Sequence, residues 1–142
     1  MKFKIATPER IMLETEVDSV SLPTTLGEIT VLPNHIPLVA NLMPGEIKYK
    51  SGGRENFFAV SGGIIEIKEG SDIVVLADSA EFGHEIDLKR AEEAREEAQR
   101  LMSQVHKDEK SMADAAAWLA RSQARINVAK KHHTHKQTHI EN

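Results

Sequence analysis

From Asp87 to Lys131 the chain contains neither glycine nor proline, whereas the residues before that stretch are punctuated by both. This switch predicts a molecule of two unlike parts. The uninterrupted stretch is rich in alanine and charge, and favours helix because alanine loses no side-chain entropy there and nothing breaks the backbone hydrogen-bond ladder. The earlier part has short β-branched runs between turn residues, the signature of strands.

Phe3 and Ile5 alternate with Lys2, Lys4 and Ala6, as a half-buried strand requires, and Thr7-Pro8-Glu9 closes that run. Further runs lie at Ile11 to Leu13, Val17 to Leu22, Ile29 to Leu32, Leu38 to Leu42, Ile47 to Lys50, Asn56 to Val60, Ile64 to Ile67 and Ile73 to Leu76. Ser51 to Glu55 and Glu69 to Asp72 read as hairpin loops by composition. Pro33 and Pro37 bracket Asn34-His35-Ile36, so that connection is a stiff turn, and Met43-Pro44-Gly45 marks another. The pattern predicts a β-sandwich of about ten short antiparallel strands over residues 1–83.

Residues 84–131 predict an antiparallel two-helix hairpin. Asp87 is placed to cap the first helix, along which Ala91, Ala94, Ala98, Leu101 and Val105 form one seam. His106 to Lys110 interrupts the pattern and Ser111 is a second candidate cap. Met112, Ala115, Leu119, Ile126 and Ala129 then mark a second seam, interrupted by Ser122. Alanine seams bury little apolar area, so the hairpin is expected to be stable only when docked. Residues 132–142 read as a disordered, His-rich tail.

Several chemistries are excluded. There is no cysteine, and no phosphate-loop, Gly-x-Ser-x-Gly or His-Glu-x-x-His motif, so no catalytic residue is assigned. A net charge of -4 and 4% aromatics oppose nucleic-acid binding. No apolar run approaches the roughly 20 residues of a membrane span, and the start is too short in apolar residues for a signal peptide, which reads as a cytosolic chain with indirect membrane association at most. Gly62-Gly63 reads as a bulge or a close backbone approach, and His35 as a structural imidazole bound to backbone. His132, His135 and His139 would share one face of a continuing helix, but with no carboxylate or thiolate at defined spacing no metal site is assigned.

One family resemblance runs through these segments in order. Leu22-Pro23 through Gly27-Glu28-Ile29, then Leu32-Pro33-Asn34-His35-Ile36-Pro37-Leu38, Ala59 to Ile67 and Val75 to Ala80 resemble the epsilon subunit of bacterial F-type rotary ATP synthases. The resemblance implies a non-catalytic rotor subunit that needs no cofactor. It would link gamma to the c-ring at the cytoplasmic face of the bacterial membrane, and its hairpin would extend toward the alpha and beta subunits to inhibit ATP hydrolysis. Glu28, Ile29 and the turn around His35 are then expected on an exposed, partner-binding surface. Ile86-Asp87-Leu88-Lys89-Arg90-Ala91 resembles the family's Ile/Leu-Asp-x-x-Arg-Ala motif for regulatory ATP. It implies Asp87 and Arg90 on the nucleotide, Glu81 assisting from the preceding loop, and Arg121 and Arg125 on the phosphates. Glu97 departs from the pattern, standing where ATP-binding members carry arginine; read as residues alone, Asp87 is a cap and Arg90 a solvated surface charge. A second reading is a lipoyl- or biotinyl-type carrier, from the turn within Ile67 to Ile73, although no modifiable lysine sits in the required Met-Lys-Met or Asp-Lys-Ala setting.

Overall fold

The computed structural model describes residues 1–104 and 109–141, with side chains as far as His132. Ten strands come first: β1 (Lys2–Ala6), β2 (Ile11–Glu16), β3 (Ser19–Thr24), β4 (Gly27–Val31), β5 (Leu38–Leu42), β6 (Gly45–Ser51), β7 (Arg54–Val60), β8 (Gly63–Ile67), β9 (Ile73–Ala77) and β10 (Ala80–Phe82). A 3-10 turn at Gly83–Glu85 leads into α1 (Leu88–Gln104) and α2 (Glu109–Glu141). One layer runs β10-β7-β6-β3 with β4 beside β3, the other β5-β8-β9-β1-β2, and a single β3–β5 pairing, Thr24 with Leu42, joins them. The sandwich followed by a helical pair is the architecture the sequence predicts.

Alternation fills the space between the layers. Phe3, Ile5, Val20, Leu22, Ile47, Phe58, Ile65, Ile67, Ile73 and Val75 are all buried there. The bracketed turn forms as its prolines dictate: the His35 amide donates to Leu32 O at 3.1 Å, Pro33 takes the first corner, and Asn34 the second at φ 69°. Gly63 is where a close backbone approach matters, since at φ 148° a Cβ would lie 2.0 Å from Leu76 O.

Four features differ from expectation. β1 pairs with β9 in parallel, although every other pairing among the described residues is antiparallel, because the chain returns to its first strand only after the whole sandwich is laid down. β10 is an unpredicted strand: Ala80, Glu81 and Phe82 are too few to show a period and are held by pairing with β7. Ser111 lies inside α2, which begins at Glu109, and not at its N-cap, and Met112 is exposed. The helical course continues through 132–141 where a disordered tail is expected, as no glycine or proline there stops it. Val105 and His106 to Asp108 lie outside the described residues.

Asp87 does cap α1, its Oδ1 accepting from the Arg90 amide at 3.1 Å. The first seam is half realised: Ala91 and Ala98 are buried, Ala94 and Leu101 partly so. α2 lies between α1 and the sandwich, so it needs two apolar faces. Ala115, Ser122, Ile126 and Ala129 are buried, and so are Ala124 and Val128, which the predicted single seam omits. Buried Ser122 satisfies its hydroxyl by donating to Trp118 O at 2.9 Å.

Candidate functional site

The outer face of the β10-β7-β6 layer carries a cross-strand row, because Ala59 pairs with Glu81 on one side and Glu46 on the other. A small residue between two carboxylates makes a shallow acidic trough, and α2 lies in it. Arg125 reaches Glu81, with Nε 2.9 Å from Oε1 and Nη2 donating to Oε2 at 3.4 Å. The Nε contact is an ion pair without hydrogen-bond alignment, consistent with Nε having no aligned acceptor. Lys131 pairs with Glu46 while its ammonium sits 4.9 Å from the centroid of the Phe57 ring. Apolar packing beneath is slight: Ala59, Ile86, Ala91, Ile126, Val128 and Ala129, with Phe57 and Leu88 at the margin. Docking therefore combines a small apolar patch with two partly exposed charge pairs.

Beside this contact is a cleft of about 230 Å³ lined by Ala59, Val60, Ser61, Ser79, Glu81, Trp118, Arg121, Ser122 and Arg125. Ser79 donates to Ser61 across its floor at 2.7 Å. Two guanidiniums, the Ser61 hydroxyl and an indole can donate to an oxyanion, while the Ser79 and Ser122 hydroxyls already donate to Ser61 and to Trp118 O; Glu81 offsets one of the two positive charges.

The structure thus brings Glu81, Arg121 and Arg125 together, and leaves Asp87 and Arg90 outside the lining of the cleft, both exposed, one at the cap and one in the first turn of α1. Glu81 stands on β10 and not in a loop, which corrects its expected position. Glu97 is engaged by Arg100 three residues on. Trp118, Ser61, Ser79 and Ser122 were missed because only the fold makes them neighbours; no local pattern marks them.

The expected partner surface divides. Glu28 is exposed near the start of β4 and His35 lies in the turn beyond its end, the His35 ring Nδ1 bonded to Ile36 O at 2.7 Å. Ile29 is a correction, being half-buried and packed against the core, since its strand alternation turns it inward opposite Leu22. A different exposed surface stands out. Register aligns Asn41, Ile64, Leu76, Ala6 and Ile11 across β5-β8-β9-β1-β2. Ile64 is 49% exposed, Leu76 56%, Ile11 55% and neighbouring Val39 70%. This apolar stripe lies on the layer opposite the one that α2 covers.

Residues 1–83 match the family described as ATP synthase, Delta/Epsilon chain, beta-sandwich domain, and residues 84–130 the family described as its long alpha-helix domain. The chain is 41% identical over 137 residues to an ATP synthase epsilon chain of Dehalococcoides mccartyi, covering 96% of this chain and 97% of that one. It is 40% identical over 130 residues to the ATP synthase epsilon chain of Herpetosiphon aurantiacus, covering 92% and 94%. A chain in the mitochondrial ATP synthase of Euglena gracilis shares the fold with a TM-score of 0.75 at 23% identity, over 89% of this chain and 79% of that one. One in the central stalk and c-ring assembly of Tetrahymena thermophila ATP synthase does so at 0.62 and 13%, over 92% and 94%.

Proposed function

The chain belongs to the delta/epsilon family of ATP synthase chains, and we propose that it is a non-catalytic central-stalk subunit linking gamma to the c-ring, with a C-terminal hairpin that restrains ATP hydrolysis. Family membership displaces the carrier reading. The observation that supports the stalk role best is the two-sidedness of the sandwich: its own helices cover one outer face, and the other bears the uncovered stripe of Val39, Ile64, Leu76 and Ile11. Large apolar side chains on four of that layer's five strands gain most from a partner that excludes water, and gamma is that partner. Glu28 and the turn at His35 lie off this stripe and serve the polar loops of the c-ring. No helix among the described residues is long and apolar enough to cross a membrane, so attachment at the cytoplasmic face runs through these partners.

The hairpin is built to leave its seat, because the seat has little apolar area and relies on the Glu81 and Glu46 ion pairs. Once free, Arg121, Arg125, Lys130 and Lys131 present positive charge to acidic surface on the alpha and beta subunits. ATP is its regulatory ligand. The cleft is smaller than the roughly 300–1,000 Å³ of sites that enclose a drug-sized ligand, so it takes the phosphates on Arg121 and Arg125 and leaves the nucleoside toward Asp87 and Arg90. Since the cleft exists only where α2 meets the end of β7 and β10, ATP favours the docked hairpin. The test is the hydrolysis rate of the assembled soluble enzyme with and without residues 84–142. Removal raises the rate; an unchanged rate would dismiss the inhibitory role.

A further inference from the structure

His84 and His132 come from different parts of the fold and meet where α2 passes the 3-10 turn. Their ring centroids are 5.9 Å apart at an interplanar angle of 54°. Two contacts set the pair. His84 stacks on Phe82 at 5.3 Å and 26°, which orients its ring. Gly83 touches α2 so closely that a Cβ there would lie 2.6 Å from the His132 Cβ, so the glycine lets the turn bring His84 across to the helix.

We propose that His84 and His132 form a bridging site for a borderline divalent metal ion such as zinc or nickel, which clamps α2 in its docked position. With metal–nitrogen bonds of about 2.0–2.1 Å, two imidazoles on one ion have centroids roughly 5–6.4 Å apart for ligand angles from tetrahedral to linear, and the pair already has that spacing. Each histidine gives one ring nitrogen and keeps the other for a hydrogen bond that orients the ring. Glu85 is the reserve donor: its Oε1 is 4.0 Å from His84 Nε2, and 3.8 Å from Arg10 Nη2, which it would leave on turning to the metal. No cluster of three donors is already gathered among the described residues, so water completes the coordination and affinity is modest. The undocked hairpin separates the two ligands and loses the site.

Hydrogen exchange of α2 amides in the full-length chain, with and without 100 μM zinc, tests this. At least twofold slower exchange is expected at that concentration, because an ion that binds only the docked form suppresses opening by the factor one plus concentration over Kd. His84→Ala, at an exposed side chain, and separately His132→Ala should each abolish the slowing, whereas replacing His133, His135 and His139 together by alanine should leave it. Slowing that persists in His84→Ala, or that vanishes only with the tail replacement, would assign the metal to the tail and overturn the proposal.

Discussion

Replacing Glu81 and Arg125 singly and together by alanine measures how far one ion pair holds the hairpin down. Both side chains are about one-third exposed, 33% and 29%, and Arg125 presents two nitrogens to the carboxylate at 2.9 and 3.4 Å. A fully exposed pair couples by ~0.2–1 kcal/mol, and breaking a buried one costs ~3–5 kcal/mol; this half-sheltered, two-pronged pair belongs between them, at about 1–2 kcal/mol. That is roughly a five- to thirtyfold change in the docked-to-undocked ratio. Trp118, the single tryptophan, lines the same cleft and reports undocking by fluorescence. Glu81→Ala should cost more than Arg125→Ala, because it leaves the Arg125 Nε, buried and without an aligned acceptor, without its counter-charge as well. Raising salt from 0.1 to 1 M, which shortens the screening length from ~10 to ~3 Å, should shrink the coupling. A double-mutant coupling below ~0.3 kcal/mol would mean the pair is incidental and that docking rests on Ala59, Ile126 and Val128.

A chain ending at Gly83 should keep the β-sheet circular-dichroism spectrum of the sandwich, since every residue of its main core precedes that position; an unfolded product would show the helices to be part of that core. Gly63→Ala should lower stability by more than about 4 kcal/mol by urea titration, and Gly70→Ala, at φ 88° but with open space around it, by about 1 kcal/mol. Burial raises the pKa of Tyr49, which packs between Phe3 and Phe58. Its contribution is therefore complete below the unfolded-state tyrosine pKa and is lost as pH climbs through the higher folded-state value. As the only tyrosine, it should show an absorbance titration above the ordinary range that returns to it in urea. Glu28→Lys should leave the isolated fold intact while weakening coupled ion pumping in the reassembled enzyme; unchanged pumping would remove Glu28 from the c-ring contact.

Local chemistry was legible wherever it alone decides the outcome. The Pro33-Asn34 turn, the bond from the His35 ring to backbone, the Asp87 cap and the constraint at Gly63 all follow from one residue type and its nearest neighbours. What eluded the sequence depends on which distant segments meet. β10 forms only because β7 offers an edge, and Ile29 turns inward because β4 pairs with β3 in the register that sets it opposite Leu22. Ala124 and Val128 are apolar for a second neighbour of α2 that helical periodicity cannot reveal. The cleft was half visible: Glu81, Arg121 and Arg125 were named from a resemblance, while Trp118 and the serines come from α2, the β7–β8 link and the turn before β10. Asp87 and Arg90 were named with them and stand outside the lining.

The stalk role rests on the uncovered stripe, and affinity for purified gamma subunit measures it most directly. The full-length chain should form a one-to-one complex by analytical ultracentrifugation. Leu76→Asp, which puts a charge in the middle of the stripe on a residue already 56% exposed, should weaken that complex at least tenfold with the circular-dichroism spectrum unchanged. Failure of the folded wild-type chain to bind gamma, or equal binding by Leu76→Asp, would contradict this account.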